Sequence, residues 1–218
     1  QAGYALGILF LLPLGDRHDR RKLILMKSAA LAVLLLLCSL TGQLSSLLIV
    51  SLLIGMAATM AQDIVPAAAI LAPAGKQGKM VGTVMTGLLL GILLSRTVSG
   101  LVGALFGWRV MYQAAAVSIA MIGVVMWRVL PRFEIHSTLS YPQLMKSMAH
   151  LWKRYPALRR AAFAQGFLSI AFSAFWSTLA VMLLAHYQMG SAVAGGFGIA
   201  GAAGALAAAK IVEKTVDT

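Results

Sequence analysis

The chain has 218 residues, of which 60% are hydrophobic and 11% are charged, whereas a soluble domain is typically about half apolar and about a quarter charged. This composition excludes a soluble globular protein and favours a membrane protein. The formal net charge is +12, and a single cysteine, Cys38, with four scattered histidines excludes an internal disulfide framework and a structural zinc site.

Apolar segments dominate the chain from end to end. A hydrocarbon core of about 30 Å requires roughly 20 apolar residues per helix, and seven segments approach or reach that length. In chain order they are 1–14, 23–40, 47–74, 81–106, 110–130, 161–185 and 192–209. The first lacks the charged start of a signal peptide and resembles a helix cut through its middle. The pattern predicts an all-α membrane protein, a polytopic transmembrane helix bundle.

Basic residues are segregated to one side of the predicted helices. Consecutive loops must fall on opposite faces, and one face receives sixteen of the 18 basic residues. They are Arg17, Arg20, Arg21, Lys22, Lys27, Lys76, Lys79, Arg128, Arg132, Lys146, Lys153, Arg154, Arg159, Arg160, Lys210 and Lys214. The opposite face receives Arg109, and Arg96 lies within a span. Because positive loops stay in the cytoplasm, the loops at 15–22, 75–80 and 131–160 are predicted to be cytoplasmic. The net charge thus reflects topology, and no nucleic-acid partner is expected.

The long loop 131–160 contains a predicted amphipathic helix. Tyr141-Pro142 offers a start with proline in the first turn. Its apolar residues at helical spacing are Leu144, Met148 and Leu151, opposite Lys146, Lys153 and Arg154. The pattern is typical of a helix that lies on the inner leaflet.

A dense charged turn follows the first apolar segment, where residues 12–23 are L-P-L-G-D-R-H-D-R-R-K-L. It resembles the signature G-x-L-x-D-R-x-G-R-R between the second and third helices of the major facilitator superfamily. The matching positions are Leu14, Asp16, Arg17, Arg20 and Arg21. Leu12 and Asp19 stand where the family has glycine, and aspartate tolerates a left-handed turn better than most residues. The alternative is that the charged turn only anchors the topology.

Other segments extend the resemblance over essentially the whole chain. K-Q-G-K-M-V-G at 76–82 is similar to the family's turn between helices four and five. Residues 87–100 and the following Gly107-Trp108-Arg109 are similar to bacterial members of the arabinose-efflux and drug-efflux neighbourhood. The resemblance implies a partial family fold, from the second half of helix two to helix eight. The expected divisions are an N-terminal bundle (1–131), a cytoplasmic linker with an interfacial helix (132–160), and the start of a C-terminal bundle with a tail (161–218).

Two charged residues are predicted inside the spans, Asp63 and Arg96. A charge in hydrocarbon costs several kcal/mol and is a functional candidate by default. At about 1.5 Å per residue, Asp63 lies roughly 16 Å and Arg96 roughly 24 Å from the cytoplasmic ends of their helices. The two residues form an ion pair only if Arg96 reaches inward. The alternative is that each charge is stabilised locally, by a nearby partner or by reaching the membrane surface, and has no role in transport. Asp63 is the one acid within a predicted span, which makes it the candidate for proton coupling.

Polar and aromatic residues flank these charges. Pro66 has no N–H, so the carbonyl of Gln62 loses its helical bond and a kink is expected there. In the family this helix lines the central cavity, and helix seven forms the facing wall with Gln165, Phe172, Phe175, Trp176 and Ser177. The resemblance thus implies a substrate and proton pathway comprising Gln62, Asp63, Arg96, Gln165 and Trp176. The alternative is that the aromatic stripe packs against other helices or lipid.

Some family features are missing. Ser51 stands where the family has a basic residue in helix four, and the antiporter pattern G-x-x-x-G-P-x-x-G-G begins with Gly87 and Gly91. The pattern then fails at Ile92, Ser95 and Arg96. Gly87 and Gly91 are expected to permit close helix packing. The G-x-G-x-x-G at 196–201 is also expected to serve packing, because it lacks the preceding strand and following acid of a dinucleotide site.

Two functions stay open at this point. The first is a secondary active transporter of the bacterial inner membrane, an antiporter that exports a drug, sugar or amino acid in exchange for protons, with Asp16, Arg17, Arg20 and Arg21 forming a gating motif. The second is a truncated, non-transporting membrane fragment or a helical packing module. No catalytic arrangement is visible, so no enzyme activity, cofactor or metal is expected. The expected partners are a small-molecule substrate, protons and the lipid bilayer.

Overall fold

The structure is a computed structural model that describes residues 1–134, 139–190, 193–201 and 204. Its helices are α1 (Ala2–Leu11), α2 (Leu14–Arg17), α3 (Arg20–Leu40), α4 (Leu44–Ala57), α5 (Met60–Leu71), α6 (Gln77–Phe106), α7 (Trp108–Val129), α8 (Tyr141–Arg154) and α9 (Pro156–Tyr187). Residues 193–201 are also helical. The all-α fold class is confirmed. The predicted tail with Lys210 and Lys214, and the end of segment 192–209, lie outside the described residues.

Five stretches within the described residues are long and apolar enough to cross a membrane. They are Arg20–Leu40, Leu44–Leu71, Gln77–Phe106, Trp108–Val129 and Pro156–Tyr187. The second combines α4 and α5. Helix α1 has 10 residues, which gives a length of about 15 Å, so it is the short segment that the sequence predicts. The chain is therefore a multi-pass membrane protein.

The apolar segment 47–74 is interrupted before it reaches Pro66. Pro66 stands inside the continuous helix α5, whereas α4 and α5 are interrupted at Ala58 and Thr59. There the Thr59 hydroxyl donates to the carbonyl of Met56 at 2.7 Å, and the Gln62 N–H donates to the carbonyl of Thr59 at 3.0 Å. Bonds between residues three apart tighten a helix, and a threonine bonded to the preceding turn bends it. The interruption at Ala58 and Thr59 is one that the sequence analysis did not predict, and the kink at Pro66 stays a prediction.

Helix α3 lies at the centre of the bundle, where it packs against α4, α5 and α7. One core cluster consists of Leu31, Leu35, Ala57, Met60 and Ala116. A second consists of Ile24, Ala67 and Phe133. Two polar residues of α3, Lys27 and Ser28, are buried between these clusters along the same helix. The centre of the bundle thus contains polar side chains that are enclosed by the hydrophobic core.

Glycines bring α1 and α4 into backbone contact. A Cβ on Gly3 would lie 1.9 Å from the carbonyl oxygen of Leu52, and one on Gly55 would lie 2.8 Å from the nitrogen of Tyr4. Small residues at a helix crossing permit this approach in membrane proteins. Because no larger side chain fits there, α1 is fixed against α4 and brings Tyr4 close to α5.

Among the residues that the structure describes, no helix packs closely on Gly87 or Gly91, so their packing role stays a prediction. A Cβ on either residue would meet no described atom within 4 Å. The prediction for 196–201 is confirmed at Gly198, where a Cβ would lie 2.5 Å from the carbonyl oxygen of Leu93. The helix at 193–201 therefore packs closely on α6, further along α6 than the predicted contact.

Helix α8 is the amphipathic helix that the sequence predicts, and α9 begins at Pro156 rather than at residue 161. The Ser140 N–H donates to the side chain of Gln143 at 2.8 Å, which closes one half of a capping box. The Tyr141 hydroxyl donates to the carbonyl of Phe10 at 3.0 Å, and Leu144 is buried. The apolar face of α8 thus contacts the bundle through Leu144, while Met148 and Leu151 on the same face are exposed, and its position on the inner leaflet stays a prediction.

Candidate functional site

The charged turn between α1 and α3 is organised by its acidic residues. Asp16 Oδ1 accepts a hydrogen bond from the Arg20 guanidinium at 2.8 Å. Asp19 Oδ1 accepts from the Arg21 N–H at 2.9 Å and is the N-cap of α3. The φ angle of Asp19 is −55°, so the expectation that aspartate here serves a left-handed turn is wrong. At the position where the family has glycine, aspartate thus acts as the N-cap of α3.

The charged turn is also tied to the end of α7. The Phe133 N–H donates to Asp19 Oδ1 at 3.1 Å, and the Arg21 guanidinium donates to the carbonyl of Trp127. Arg17 is exposed. Of the residues predicted as a gate, Arg21 thus connects two helices, whereas Arg17 faces away from the bundle.

A buried ion pair joins α3 to α5. Lys27 Nζ lies 2.6 Å from Asp63 Oδ2, and the two side chains are 4% and 0% exposed. Asp63 therefore pairs with Lys27, and the pairing considered between Asp63 and Arg96 does not occur. Lys27, which the sequence analysis groups with the basic residues of one face, lies within the candidate span Arg20–Leu40 and is buried there. Burying two charges costs several kcal/mol for each ion, which their attraction at short range offsets.

The second oxygen of Asp63 has no hydrogen-bond partner among the described residues. Asp63 Oδ1 is buried, and a Cβ on Gly15 would lie 3.3 Å from it and 3.9 Å from Arg20 Cζ. The oxygen and the guanidinium therefore approach the same point above Gly15. Since Arg20 also bonds Asp16, it lies near two carboxylates, one exposed and one buried.

A groove of about 380 Å³ opens beside the charged turn and is covered by α8. We call it the α8 groove. Its lining includes Asp16, Arg20, Gln62, Pro66, Leu144 and Met148. The Gln62 side chain donates to the Tyr4 hydroxyl at 2.9 Å. The α8 groove thus brings Gln62 together with two residues of the predicted gate, while Asp63 is buried against Lys27.

Arg96 on α6 stacks against aromatic side chains of α9. Its Cζ lies 4.3 Å from the ring centroid of Trp176 and 5.7 Å from that of Phe172. Phe175 packs edge-on against Trp176, with the centroids 5.4 Å apart. Arg96 Nε is buried and has no hydrogen-bond partner in the part of the chain that the structure describes. The structure therefore brings Arg96 and Trp176 together, as a shared pathway requires.

A cavity of about 230 Å³ lies next to Arg96. We call it the Arg96 cavity. It is lined by Arg96, Ser99, Gly100, Trp176, Leu179, Ala180, Ala194 and Gly195. The Thr97 hydroxyl donates to the carbonyl of Gly195 at 2.8 Å, which holds the 193–201 helix against α6. The Arg96 cavity and the α8 groove share no lining residue.

Two predicted pathway residues, Gln165 and Asp63, line neither the α8 groove nor the Arg96 cavity, and Gln165 also lacks the buried pairing that Asp63 has. Gln165 is exposed on α9, and so is Ser177. Both residues lie on α9 with Trp176, but neither lines the Arg96 cavity. Of the residues predicted to form the facing wall, Trp176, Phe172 and Phe175 therefore cluster in the structure, whereas Gln165 and Ser177 are exposed.

Sequence reasoning missed Lys27, Gly15 and Tyr4. Lys27 follows Arg20 by seven residues and therefore lies on the same face of the helix. It also stands inside the predicted span 23–40, so its position along the helix indicates a charge in the membrane interior. Gly15 and Tyr4 carry no such local signal. Their proximity to α5 arises from the way that α1 and the charged turn pack.

The comparisons with known proteins agree with this architecture. A family model described as Major Facilitator Superfamily matches residues 1–217. The chain is 43% identical over 186 residues to "Uncharacterized transporter YgaY" of Escherichia coli O157:H7, which covers 85% of this chain and 47% of that protein. It is 34% identical over 210 residues to "Probable transporter SCO4007" of Streptomyces coelicolor, which covers 95% of this chain and 49% of that protein. The chain thus spans about half the length of the curated relatives it matches.

Proposed function

Because the chain belongs to the major facilitator superfamily, we propose that the protein containing it is a secondary active transporter that exports a small organic solute from bacteria in exchange for protons. Membership of the family supports transport in general. Family members move solutes by alternating access between two helical bundles, with the solute held near the midplane. The solute and the protons are the proposed partners, and no chemical transformation of the solute is involved.

The proposed topology places the protein in the bacterial inner membrane, with the loops at 15–22, 75–80 and 131–160 in the cytoplasm. The charge distribution supports this orientation, because positively charged loops are retained on the cytoplasmic side. Residues 1–131 form the proposed N-terminal bundle, 132–160 the linker, and 161–218 the start of the C-terminal bundle and the tail.

The observation that carries the proton coupling is the buried pair of Lys27 and Asp63. As an ion pair it has no net charge, and both side chains are withdrawn from water. A proton added to Asp63 leaves Lys27 as an unpaired buried cation, which is strongly unfavourable. Protonation therefore favours a conformation in which Lys27 reaches water. Proton uptake is in this way linked to a relative movement of α3 and α5.

The charged turn supplies the proposed gate. Arg20 bonds Asp16 and approaches Asp63 Oδ1 over Gly15, so a change of charge on Asp63 alters the force on Arg20. Arg20 also lines the α8 groove together with Gln62. A shift of Arg20 between the carboxylates of Asp16 and Asp63 would open or close this groove. The bond of Arg21 to the carbonyl of Trp127 would transmit the movement to α7.

The test is solute-driven proton movement in proteoliposomes that contain the protein at its natural length. A trapped pH-sensitive dye reports the lumen while benzenesulfonate, arabinose, leucine or ethidium is added outside. Entry of a solute in exchange for protons makes the lumen alkaline. We expect this response for at least one probe, loss of it in Asp63→Asn, and an unchanged response in the matched control Glu134→Gln, whose exposed acid lies outside the spans.

Two outcomes would contradict the proposal. Proton movement at the wild-type rate in Asp63→Asn removes this residue from the coupling. A wild-type protein that moves no protons with any probe, or that acidifies the lumen, overturns proton exchange itself.

The second candidate function is a non-transporting membrane fragment or packing module, and it applies to the 218-residue chain taken alone. The coverage of about half of each relative favours it for this segment. Reconstitution of the segment in parallel with the natural-length protein separates the two candidates, because the inert alternative predicts no probe-dependent proton movement from the segment.

A further inference from the structure

We propose that the Arg96 cavity binds the anionic group of the transported solute, so that the substrate class is a small organic anion with an apolar or aromatic body. This inference rests on the proposed transport function and names the substrate that the function leaves open. It is carried by the juxtaposition of Arg96, Trp176 and the cavity beside them.

Arg96 lacks an acidic partner among the described residues. Asp63 bonds Lys27 and Asp16 bonds Arg20, while Asp19 accepts from backbone N–H groups of the charged turn and the linker. The other acid that the structure describes, Glu134, is exposed outside the spans. Arg96 therefore contributes a positive charge to the membrane interior that no described carboxylate balances.

The aromatic contacts orient the guanidinium without using its hydrogen bonds. A guanidinium stacked on a ring presents its flat face to the ring and keeps its N–H groups at the edge. Trp176 and Phe172 both lie within the distance for such contacts, and Nε has no partner in the described part of the chain. The edge donors match the two oxygens of a carboxylate or sulfonate.

The rest of the Arg96 cavity suits the body of such a solute. Trp176, Leu179 and Ala194 provide apolar surface, and the Ser99 hydroxyl is already bonded to the carbonyl of Arg96 at 3.1 Å. The volume of about 230 Å³ lies below the range of about 300–1,000 Å³ that drug-sized ligands occupy. A single ring or a short chain with one anionic group is therefore the expected size.

The position of the Arg96 cavity connects substrate binding to movement. Arg96 lies in the proposed N-terminal bundle, whereas Trp176 and Ala194 belong to the proposed C-terminal bundle. An anion held by Arg96 while its body rests on Trp176 touches both bundles. Because rocking of the bundles changes these contacts, the solute binds the two conformations with different affinity, as coupling requires.

Equilibrium binding tests the inference without a transport assay. The natural-length protein in detergent is incubated with radiolabelled benzoate, and binding is measured by scintillation proximity. Unlabelled benzoate, phenylacetate and hexanoate are compared as competitors with benzamide, the neutral analogue, and benzylamine, the cationic one. We expect the carboxylates to compete at concentrations about tenfold or more below those needed for benzamide, and benzylamine not to compete.

Variants identify the site. Arg96→Gln is expected to weaken benzoate binding by about tenfold or more, and Arg96→Lys by less, because lysine keeps the charge but not the planar fork. Trp176→Leu is expected to weaken benzoate and benzamide alike. The matched control is Arg109→Gln. Arg109 also stacks on a tryptophan, with its Cζ 4.4 Å from the ring centroid of Trp108, but it does not line the Arg96 cavity.

The outcomes separate this inference from the proposed function. Binding of benzamide as tight as that of benzoate, wild-type benzoate binding in Arg96→Gln, or no binding of any carboxylate overturns the inference. Arg96-dependent benzoate binding without proton movement in proteoliposomes supports the anion site and contradicts proton exchange. Proton exchange driven only by arabinose, leucine or ethidium supports the transporter and contradicts the anion site.

Discussion

Lys27 and Arg96 are both cations inside membrane-spanning helices, yet the molecule accommodates them in different ways. Lys27 is buried at the centre of the bundle and bonded to Asp63 at 2.6 Å. Arg96 lies between α6 and α9, where the rings of Trp176 and Phe172 receive its guanidinium. The first site balances a charge with a charge, and the second balances it with aromatic faces.

The difference follows from the chemistry of the two side chains. An ammonium is a compact point charge whose burial requires a nearby anion, whereas a guanidinium is planar, more weakly hydrated and stacks on rings. The charge of Lys27 is therefore balanced by Asp63 without a ligand, and this is the site to which we assign the response to a proton. At the Arg96 site, Nε has no hydrogen-bond partner among the described residues, and this is the site to which we assign the anion.

The largest expected effect is the loss of one partner from the central pair. Lys27→Met leaves Asp63 as a buried carboxylate without a counter-charge, and we expect the free energy of unfolding to fall by about 3–5 kcal/mol. Arg96→Met removes ring contacts worth up to about 2 kcal/mol and is expected to cost less. Denaturation of the natural-length protein in mild detergent measures both changes.

The double variant Lys27→Met/Asp63→Leu sharpens this prediction. Because it removes both charges together, it is expected to recover most of the stability that Lys27→Met loses. If Lys27→Met costs no more than Arg96→Met, or if the double variant is less stable than Lys27→Met, the two cations do not differ in the way that their surroundings indicate.

A smaller effect on stability is expected from alanine substitutions at glycines, and it should differ between a closely packed glycine and one without close neighbours. Gly55→Ala places a Cβ 2.8 Å from the nitrogen of Tyr4 and is expected to destabilise the bundle by about 1–3 kcal/mol, as overpacking does. Gly87→Ala is the matched control, since a Cβ there meets no described atom within 4 Å. The control is expected to be neutral or to gain up to about 1 kcal/mol from helix propensity. Equal losses in the two variants would contradict the packing difference.

The fold class was predictable because it depends on composition and on the spacing of charges, which are properties of the sequence itself. The helix start at Tyr141 was predictable for a similar reason, since proline and the amphipathic spacing act locally. The interruption at Ala58 and Thr59 was not predictable, because it depends on the bond between the Thr59 hydroxyl and the carbonyl of Met56. A missing N–H is visible in the sequence, but the choice of a hydroxyl's acceptor is made in the folded helix.

The candidate sites were predictable only in part. Asp63 and Arg96 stand out as charges in apolar segments, but which residue each one meets depends on how the helices stagger. Gly87 and Gly91 have the spacing of a packing motif and face open space among the described residues, whereas Gly3 and Gly55 form the close crossing. Spacing along one helix does not specify which face meets a neighbour, and for this reason the contacts of Lys27 and Gly87 were not predictable from the sequence.

The smallest expected effect concerns the start of α3, the helix that carries Lys27. Asp19 Oδ1 accepts the N–H groups of Arg21 and Phe133, so Asp19→Ala removes the cap and frees the linker. A loss of about 0.5–2 kcal/mol in the free energy of unfolding is expected. Asp19→Asn keeps an acceptor oxygen and is expected to lose little of this stability. Since Asp19 does not line the Arg96 cavity, benzoate binding should be unchanged in both variants, and a loss of binding in Asp19→Ala would show that the two regions do not act independently.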